Sequence, residues 1–553
     1  MANRTSRRPL IVWLLPALLL LVTVLGLGSY YETNDDTVLT LMVQGRMSAA
    51  PLTNLHLYFH GLASVLARLY QHWPTVPWYG LLLYSLLYVA TALLFRVLYR
   101  LLRPWLRPGE AAFTLTILFA LGWLEHAMWF NYMRVPLLLA AAGVWFAALR
   151  SAQRSALAVG LLAFGVAWLI RPSAAVLGLL LAAPGAWWLA GRRSGQVLAG
   201  AAVLALVGGL AISLTRSPVA ATYRRLDVLK STLNDYQLLR PTPRTTTDSL
   251  GVRAAQHWLL ADSTLVNEAL FRRALPLDAA HFAQHTLPVK LQSAARMLMQ
   301  NYFPLLLVLL LTWVWVARRP TGAGRWEFAL VQVGFVLGLL ALGGVLKLPP
   351  RLALPYLDAW VVANVAFVLK RAERLPRRPW WAVVALLSVL ALYGYKTVHR
   401  SQMLRAEQHA NSYALRSLAR SSATLVVADG LETYYKSRSP FDTAWPLPGR
   451  IVPLSGWQSL DPSQPVFRES LTGVRAVPEA LRRLAQQDSA VQWLLTPAGA
   501  ELLNYQMEST RAPGAPHVYL RLTMPEFTTR PDQVQQYAPA SGRVKKLGKD
   551  KIL

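Results

Sequence analysis

Long apolar runs dominate this chain, and short basic loops separate them. A run of about twenty apolar residues is matched to the hydrocarbon of a bilayer about 30 Å thick. Inside lipid every backbone polar group must be paired within its own segment, so such runs have to be helices. Of the 553 residues, 54% are hydrophobic and 15% charged, and the mean hydropathy is +0.33. The pattern predicts an α-helical polytopic membrane protein with about eleven transmembrane helices. Their cores fall at 9–28, 78–98, 111–125, 135–149, 156–170, 173–190, 197–214, 303–317, 328–346, 352–369 and 380–395. The 111–125 and 135–149 segments are brief and also read as a re-entrant or tilted pair.

Charge sets the orientation. Alternate loops carry Arg4, Arg7 and Arg8; Arg100, Arg103 and Arg107; Arg150 and Arg154; Arg192 and Arg193. The series continues with Arg318, Arg319 and Arg325, then Lys370, Arg371, Arg374, Arg377 and Arg378. By the positive-inside rule these loops face the cytoplasm, which puts the N-terminus inside and the C-terminus outside. The formal charge of +29 is therefore topological, and nucleic acid is not an expected partner. The first run is read as a retained span, because its exit "LGLGSYYE" lacks an A-x-A cleavage site. Trp73, Trp78 and Tyr79 on one side, and Trp187, Trp188, Trp380 and Trp381 on the other, read as interfacial belts.

Three segments are then outer: 29–77, 215–302 and the tail. In the first, "NLHLYFHGLASVLARLYQHW" repeats apolar residues at helical spacing, which predicts a helix lying on the membrane surface. In the tail, "ATLVVADG", "RIVPLSG", "VQWLLTP" and "HVYLRLTM" read as strands and "VPEALRRLAQQ" as a helix, which predicts a small α/β domain. Its basic end, "GRVKKLGKDKIL", reads as disordered. The chain divides into a membrane domain, 1–395, and an extracytoplasmic domain, 396–553. With no cysteine, disulfides and thiolate metal sites are excluded.

The stretch "ETNDD", Glu32 to Asp36, follows the first span at the outer rim. A carboxylate there stays near water yet reaches a substrate whose tail lies in lipid. Asp35 or Asp36 could take a proton from an attacking hydroxyl, or the two could share a divalent cation. The same residue types also suit a helix cap. Three outer turns each carry a cation: Arg134, Arg171, and Arg351 with Lys347. A charge at the span centre costs about 2.5–3.5 kcal/mol on insertion scales. Snorkelling accounts for one such residue. Three together point to an anion at the outer leaflet, such as a lipid-linked phosphate, which Arg holds bidentately. Asp235 and Asp262 in the second outer loop, with Glu32 and Asn34, are candidates for the acceptor side; a capping role is their alternative. Glu125 and His126 read as the polar end of a span. His56 and His60 would share a helix face, but no third metal ligand is in view.

This layout resembles the GT-C class of membrane glycosyltransferases: a basic N-terminus, a first span, an acidic motif on a long outer loop, then surface helices. "ETNDD" resembles the class motif, and "LYQHWPTVPWYGLLLYSLL" resembles the entry to the second span in related bacterial proteins. "ADGLETYYKSRSPFDTAWPLPGRIVPLSGWQSLDP" is similar to the tail of a large bacterial membrane family with this layout. The resemblance implies a polyprenyl-phosphate sugar donor, an essential Asp at 35 or 36, and work at the outer face of a bacterial inner membrane. The acceptor would be a glycan, a lipid or a protein. No cofactor is required, though Mg or Mn could assist. An Asp-Asp pair stands where some members have Asp-Glu, so the resemblance leaves the base open between the two. The alternatives are a polysaccharide polymerase or ligase using lipid diphosphates, and a lipid or polysaccharide translocator, which should carry charges along its spans.

Overall fold

The computed structural model describes residues 8–318, 324–372, 380–486, 490–511, 513, 517–523 and 533–541. Arg4, Arg7, Arg319, Arg374, Arg377, Arg378 and the basic end at 542–553 lie outside the described residues. The chain is mostly helical. Among the described residues, six helices are long and apolar enough to cross a membrane: Trp78–Leu102, Pro108–Met128, Pro172–Thr215, Ala279–Ala317, Arg325–Val345 and Pro350–Arg371. Ile11–Leu27, Arg134–Leu149 and Arg154–Ile170 are shorter apolar helices. Pro172–Thr215 is not one rod, because Gly191 adopts φ +56° and a tight turn at Gly191–Ser194 divides it.

The weak 111–125 segment belongs to a longer helix than its apolar run suggests. The chain continues through a π turn at Phe119–Trp123 into Leu124–Met128. The pattern breaks at Glu125 and His126, yet both are fully buried. Arg134–Leu149 runs through the centre of the molecule and buries nearly every side chain. Small residues permit this close packing, as they do between helices in lipid. A Cβ on Gly143 would lie 2.8 Å from that of Ala163, and one on Gly178 would lie 2.5 Å from the Leu137 carbonyl oxygen. The perimeter is apolar: Leu18, Leu21 and Leu25, Leu206, Leu210 and Leu214, and Leu330 and Leu337 are all exposed. A soluble monomer does not display such a surface.

The segment after the first helix is stitched to distant parts of the chain. Tyr30–Tyr31 (β1) pairs in parallel with Trp129–Phe130 (β2). On its other side, Tyr31 N donates to Arg438 O, and Ser437 N donates to Tyr31 O. A helix follows at Asp35–Val43. The amphipathic helix is shorter than its sequence period suggests, Leu62–His72. Residues before it are irregular, with His56 and Phe59 at positive φ. Their backbone is recruited elsewhere: Phe59 N and His60 N donate to Ile170 O and Leu169 O, carbonyls left open at a helix end. His56 and His60 therefore do not share a helix face. Nor is Tyr79 interfacial, since it is buried at 1% exposure.

The helix Trp380–Leu418 runs unbroken across residue 396, and a C-terminal α/β unit follows it. Its strands are Leu425–Ala428 (β3), Arg450–Pro453 (β4), Val491–Leu495 (β5), Val518–Leu522 (β6) and Gln535–Ser541 (β7). The order is β4-β3-β5-β7-β6, with β4, β3 and β5 parallel and β7 and β6 antiparallel. The four strand-like runs and "VPEALRRLAQQ" lie in this α/β unit. It sits on the first interhelical segment: Ile451 N donates to Arg46 O, and Thr37 Oγ1 donates to Tyr435 O. Gly80 meets Pro440 so closely that a Cβ would lie 2.2 Å from its carbonyl oxygen. The second long segment, with helices Pro218–Asn234, Thr246–Gln256 and Glu268–Ala274, also reaches the domain through Arg253 and Glu501, 2.7 Å apart.

Candidate functional site

Asp35 and Asp36 open the same short helix, and successive helical residues point about 100° apart. They consequently meet different surroundings. Asp36 is fully buried. Its Oδ1 accepts from Tyr79 Oη at 3.0 Å and Tyr132 N at 2.9 Å, and its Oδ2 accepts from Asn131 Nδ2 at 3.0 Å. Burial, with the neighbouring Asp35 charge, pushes the Asp36 carboxyl well above the ordinary range, against the pull of those hydrogen bonds. Asp36 therefore joins three segments and has no oxygen facing a substrate. Asp35 is partly exposed. Its Oδ1 accepts from Trp457 Nε1 at 2.9 Å, whereas Oδ2 has only a 3.5 Å contact with Thr33. The two Oδ2 atoms are linked through Thr33 and Asn131, whose Nδ2 donates to Thr33 Oγ1 and to Asp36 Oδ2, both at 3.0 Å. Among the described residues no cluster of three His, Asp or Glu side chains has metal-binding geometry.

The three arginines separate into two kinds. Arg134 is internal and neutralised: Nε and Nη2 donate to Glu32 Oε2 at 3.1 and 2.7 Å. Glu32 Oε1 accepts from the Arg351 backbone amide at 2.9 Å. Arg134 is not free for a phosphate, and Glu32 is not free for an acceptor. A buried cation inside an all-helical core is tolerated because this carboxylate meets it. Arg171 lies against the rings of Tyr58 and Tyr132, at 4.7 and 5.3 Å, and donates to the Tyr132 hydroxyl. Its Nε and that of Arg351 are buried without a partner. Both guanidinium groups act electrostatically on Tyr132, as does Asp35. Arg171, Arg351 and Asp35 therefore lie in the surroundings of Tyr132, which Arg171 contacts.

The other candidates are placed as follows. Lys347 pairs with Asp235 at 2.6 Å, so each satisfies the other. Asp262 is buried at the soluble domain, accepting from Thr264 and from Gln506 Nε2 at 3.1 Å. Asn34 occupies the N-cap position without a side-chain capping bond.

Several residues of the site were not legible from local sequence. Tyr58 packs edge-on to both Tyr132 and Trp457, with centroids 5.5 Å away in each case. Tyr223 and Asp461 are almost fully buried. The Tyr223 hydroxyl and Asp461 Oδ2 have no partner, while Asp461 Oδ1 accepts from Ser463 N at 2.9 Å. Burial raises the Asp461 carboxyl; burial and then the Asp461 charge raise the Tyr223 phenol. Tyr58, Tyr223 and Trp457 come from three separate segments. The only sequence signal was "SGWQSLDP", noticed as part of a tail.

A second polar cluster lies deeper. Glu125 accepts from Tyr393 Oη at 2.9 Å, Lys396 Nζ at 3.2 Å and Arg400 Nη1 at 2.8 Å. Arg400 Nη2 donates to Asn301 Oδ1 at 2.7 Å, and His126 Nε2 meets Asp358 Oδ2 at 2.7 Å. Glu125 and His126 are thus internal ties between helices and not the polar end of a span.

The Asp35 site can accept a proton on an open carboxylate oxygen, hold an anion with two arginines, and offer aromatic faces to a ring. No protein-family model and no curated protein matches the chain.

Proposed function

We propose that this chain is an eleven-span glycosyltransferase of the bacterial inner membrane, with its N-terminus cytoplasmic and its site at the outer face. It would move a sugar from a polyprenyl phosphate to a glycan, lipid or protein acceptor. The observation that carries this reading is Asp35, its Oδ2 held only by a long contact to Thr33, in the same Tyr132 surroundings as two arginines whose Nε donors are unpaired. The donor phosphate lies against Arg171 and Arg351, and its tail runs into lipid. The acceptor hydroxyl gives its proton to Asp35 Oδ2 as its oxygen attacks the anomeric carbon. The carbon–oxygen bond to the lipid phosphate breaks, and the electron pair leaves with the phosphate, whose growing charge the arginines stabilise. We read the transfer as a single displacement that inverts the anomer, with Asp36 tied inward. No step of this mechanism requires a metal, and Mg or Mn would only assist it.

A lipid-diphosphate polymerase would use the same arginines with no need for Asp35. The test is transfer from defined polyprenyl-phosphate sugars by purified protein, combined with mass spectrometry of lipid-linked sugars and envelope glycans in a deletion strain. Accumulation of a monophosphate-linked sugar on deletion supports the proposal. Accumulation of diphosphate-linked oligosaccharides alone rejects it in favour of the polymerase.

A further inference from the structure

Asp35 Oδ1 accepts from Trp457 Nε1 at 2.9 Å, so the direction of the carboxylate depends on how firmly Trp457 is held. Trp457 opens a four-residue helical turn, Trp457–Leu460, directly after Gly456. A turn this short has hydrogen bonds of poor geometry and keeps a fixed direction only with help from outside. Gly456 adopts φ +78°, and a Cβ there would lie 2.5 Å from Gln458 Oε1. The Gln458 side chain is thus folded back over the residue that precedes Trp457.

The help comes from Glu432, in the short turn Leu431–Tyr435 that follows β3. Ser455 and Gln458 flank Trp457, and both reach the Glu432 carboxyl. Ser455 Oγ donates to Oε1 and Oε2 at 3.0 and 3.1 Å, and Gln458 Nε2 donates to Oε1 at 2.5 Å. Gln458 Nε2 also donates to Ser455 O at 2.8 Å, which ties one flank to the other. Ser455 Oγ accepts from Gly430 N at 3.0 Å, so the assembly is fastened to the end of β3. Ser455, Trp457 and Gln458 are all buried.

Burial, with the Asp429 charge close by, opposes an ionised carboxyl at Glu432. A side chain placed for stability alone would avoid that cost. What Glu432 adds is a pair of acceptor oxygens facing both flanks of one tryptophan. We infer that Glu432 is a positioning residue of the Asp35 site: it fixes the turn that carries Trp457, and Trp457 fixes Asp35. The inference rests on the reading of Asp35 as the base of a glycosyl transfer. Glu432 itself touches no substrate. An Asp35 that has lost its direction still lies in the surroundings of the arginines, so donor binding is kept and proton transfer suffers. The loss therefore falls on kcat and not on the donor KM.

The test compares Glu432→Ala, Glu432→Gln, Trp457→Phe and the double variant Glu432→Ala with Trp457→Phe, each as the full chain in nanodiscs. Backbone hydrogen exchange across 454–461 reads the turn without any activity, and initial rates with polyprenyl-phosphate hexoses read the chemistry. Glu432→Ala should speed exchange in the turn about tenfold. It should lower kcat about tenfold or more with the donor KM unchanged. Glu432→Gln keeps an oxygen for Gln458 and should restore most of both. Glu432→Ala should add little once Trp457→Phe is present, because the two act on one hydrogen bond. Gln458→Leu removes the other partner and serves if Glu432→Ala does not fold. Unchanged exchange in the turn, a loss confined to KM, or full additivity with Trp457→Phe each overturns the inference. Faster exchange in Glu432→Ala, with no transfer by wild type from any donor, leaves the hold on Trp457 and rejects the transferase. Asp35-dependent transfer that is indifferent to Glu432 and Gln458 does the reverse.

Discussion

Replacing each acid of the pair by Asn should separate chemistry from architecture. In Asp35→Asn the side-chain oxygen can still accept from Trp457 Nε1, and the lost contact is the long one to Thr33. One weak hydrogen bond is worth less than about 1 kcal/mol net, so folding should be nearly unchanged. The amide cannot take a proton at neutral pH, and transfer should fall by about 10²–10⁴. Asp36→Asn meets three donors: Tyr79 Oη, Tyr132 N and Asn131 Nδ2. Its one oxygen can serve the Oδ1 partners, but its NH₂ then faces the Asn131 amide. Two buried N–H groups lose their acceptor, at about 1–3 kcal/mol each, so Asp36→Asn should cost about 2–6 kcal/mol. The assays are thermal melting and chromatographic monodispersity of purified variants, then initial rates of transfer. A stable Asp36→Asn with wild-type rate, beside an Asp35→Asn that also transfers normally, would refute both assignments and leave "ETNDD" as a cap.

The remaining expectations are briefer. Arg171→Ala should weaken binding of a polyprenyl-phosphate donor in nanodiscs, and Arg171→Lys should recover part of it, since Lys keeps the charge and loses the fork; unchanged affinity would leave only the stacking on Tyr58 and Tyr132. Burial raises the Glu432 carboxyl from 4.5 to about 7 despite hydrogen bonds from Ser455 and Gln458. Between those values the folded state holds a proton that the unfolded chain has released, so stability falls as pH rises and levels off above about 7, by at most about 3 kcal/mol. Glu432→Gln should flatten that stretch of the melting profile, and an unaltered profile would remove Glu432 as its cause. The absence of cysteine permits a topology test: Cys at the exposed positions Thr53, Thr247 and Ser422 should react with an impermeant maleimide in spheroplasts, and Cys at Gln153 only after lysis; the opposite pattern would invert the orientation.

What the sequence showed was what one segment decides alone. The Trp78–Leu102 and Pro350–Arg371 helices follow from length and hydropathy. The strands β3, β4, β5 and β6 follow from short apolar runs bounded by turns. What it hid was pairing across distance. Arg134 reads as an unpaired membrane cation until Glu32, far earlier in the chain, is found beside it. Glu125 ends an apolar run, and nothing local says that Lys396 and Arg400 will meet it. The period of "NLHLYFHG" is helical, but the open carbonyls of Leu169 and Ile170 hold its end in another conformation. In each case tertiary hydrogen bonding overrides a local preference too weak to resist it.

The two acids of "ETNDD" divide one task that neither could perform alone. A catalytic carboxylate needs an open oxygen and a fixed direction. A partly exposed side chain on a two-turn helix has the first and not the second. Asp36 supplies the second by fastening its helix to Tyr79, Asn131 and Tyr132. The same turn then delivers Tyr132 to Arg171, so the cation and the open carboxylate are positioned by one framework. Trp457 reaches it from the C-terminal α/β unit, holding Asp35 Oδ1 and leaving Oδ2 with only the long contact to Thr33. The soluble domain is on this argument a structural part of the site, since removing it would release the one hydrogen bond that orients Asp35.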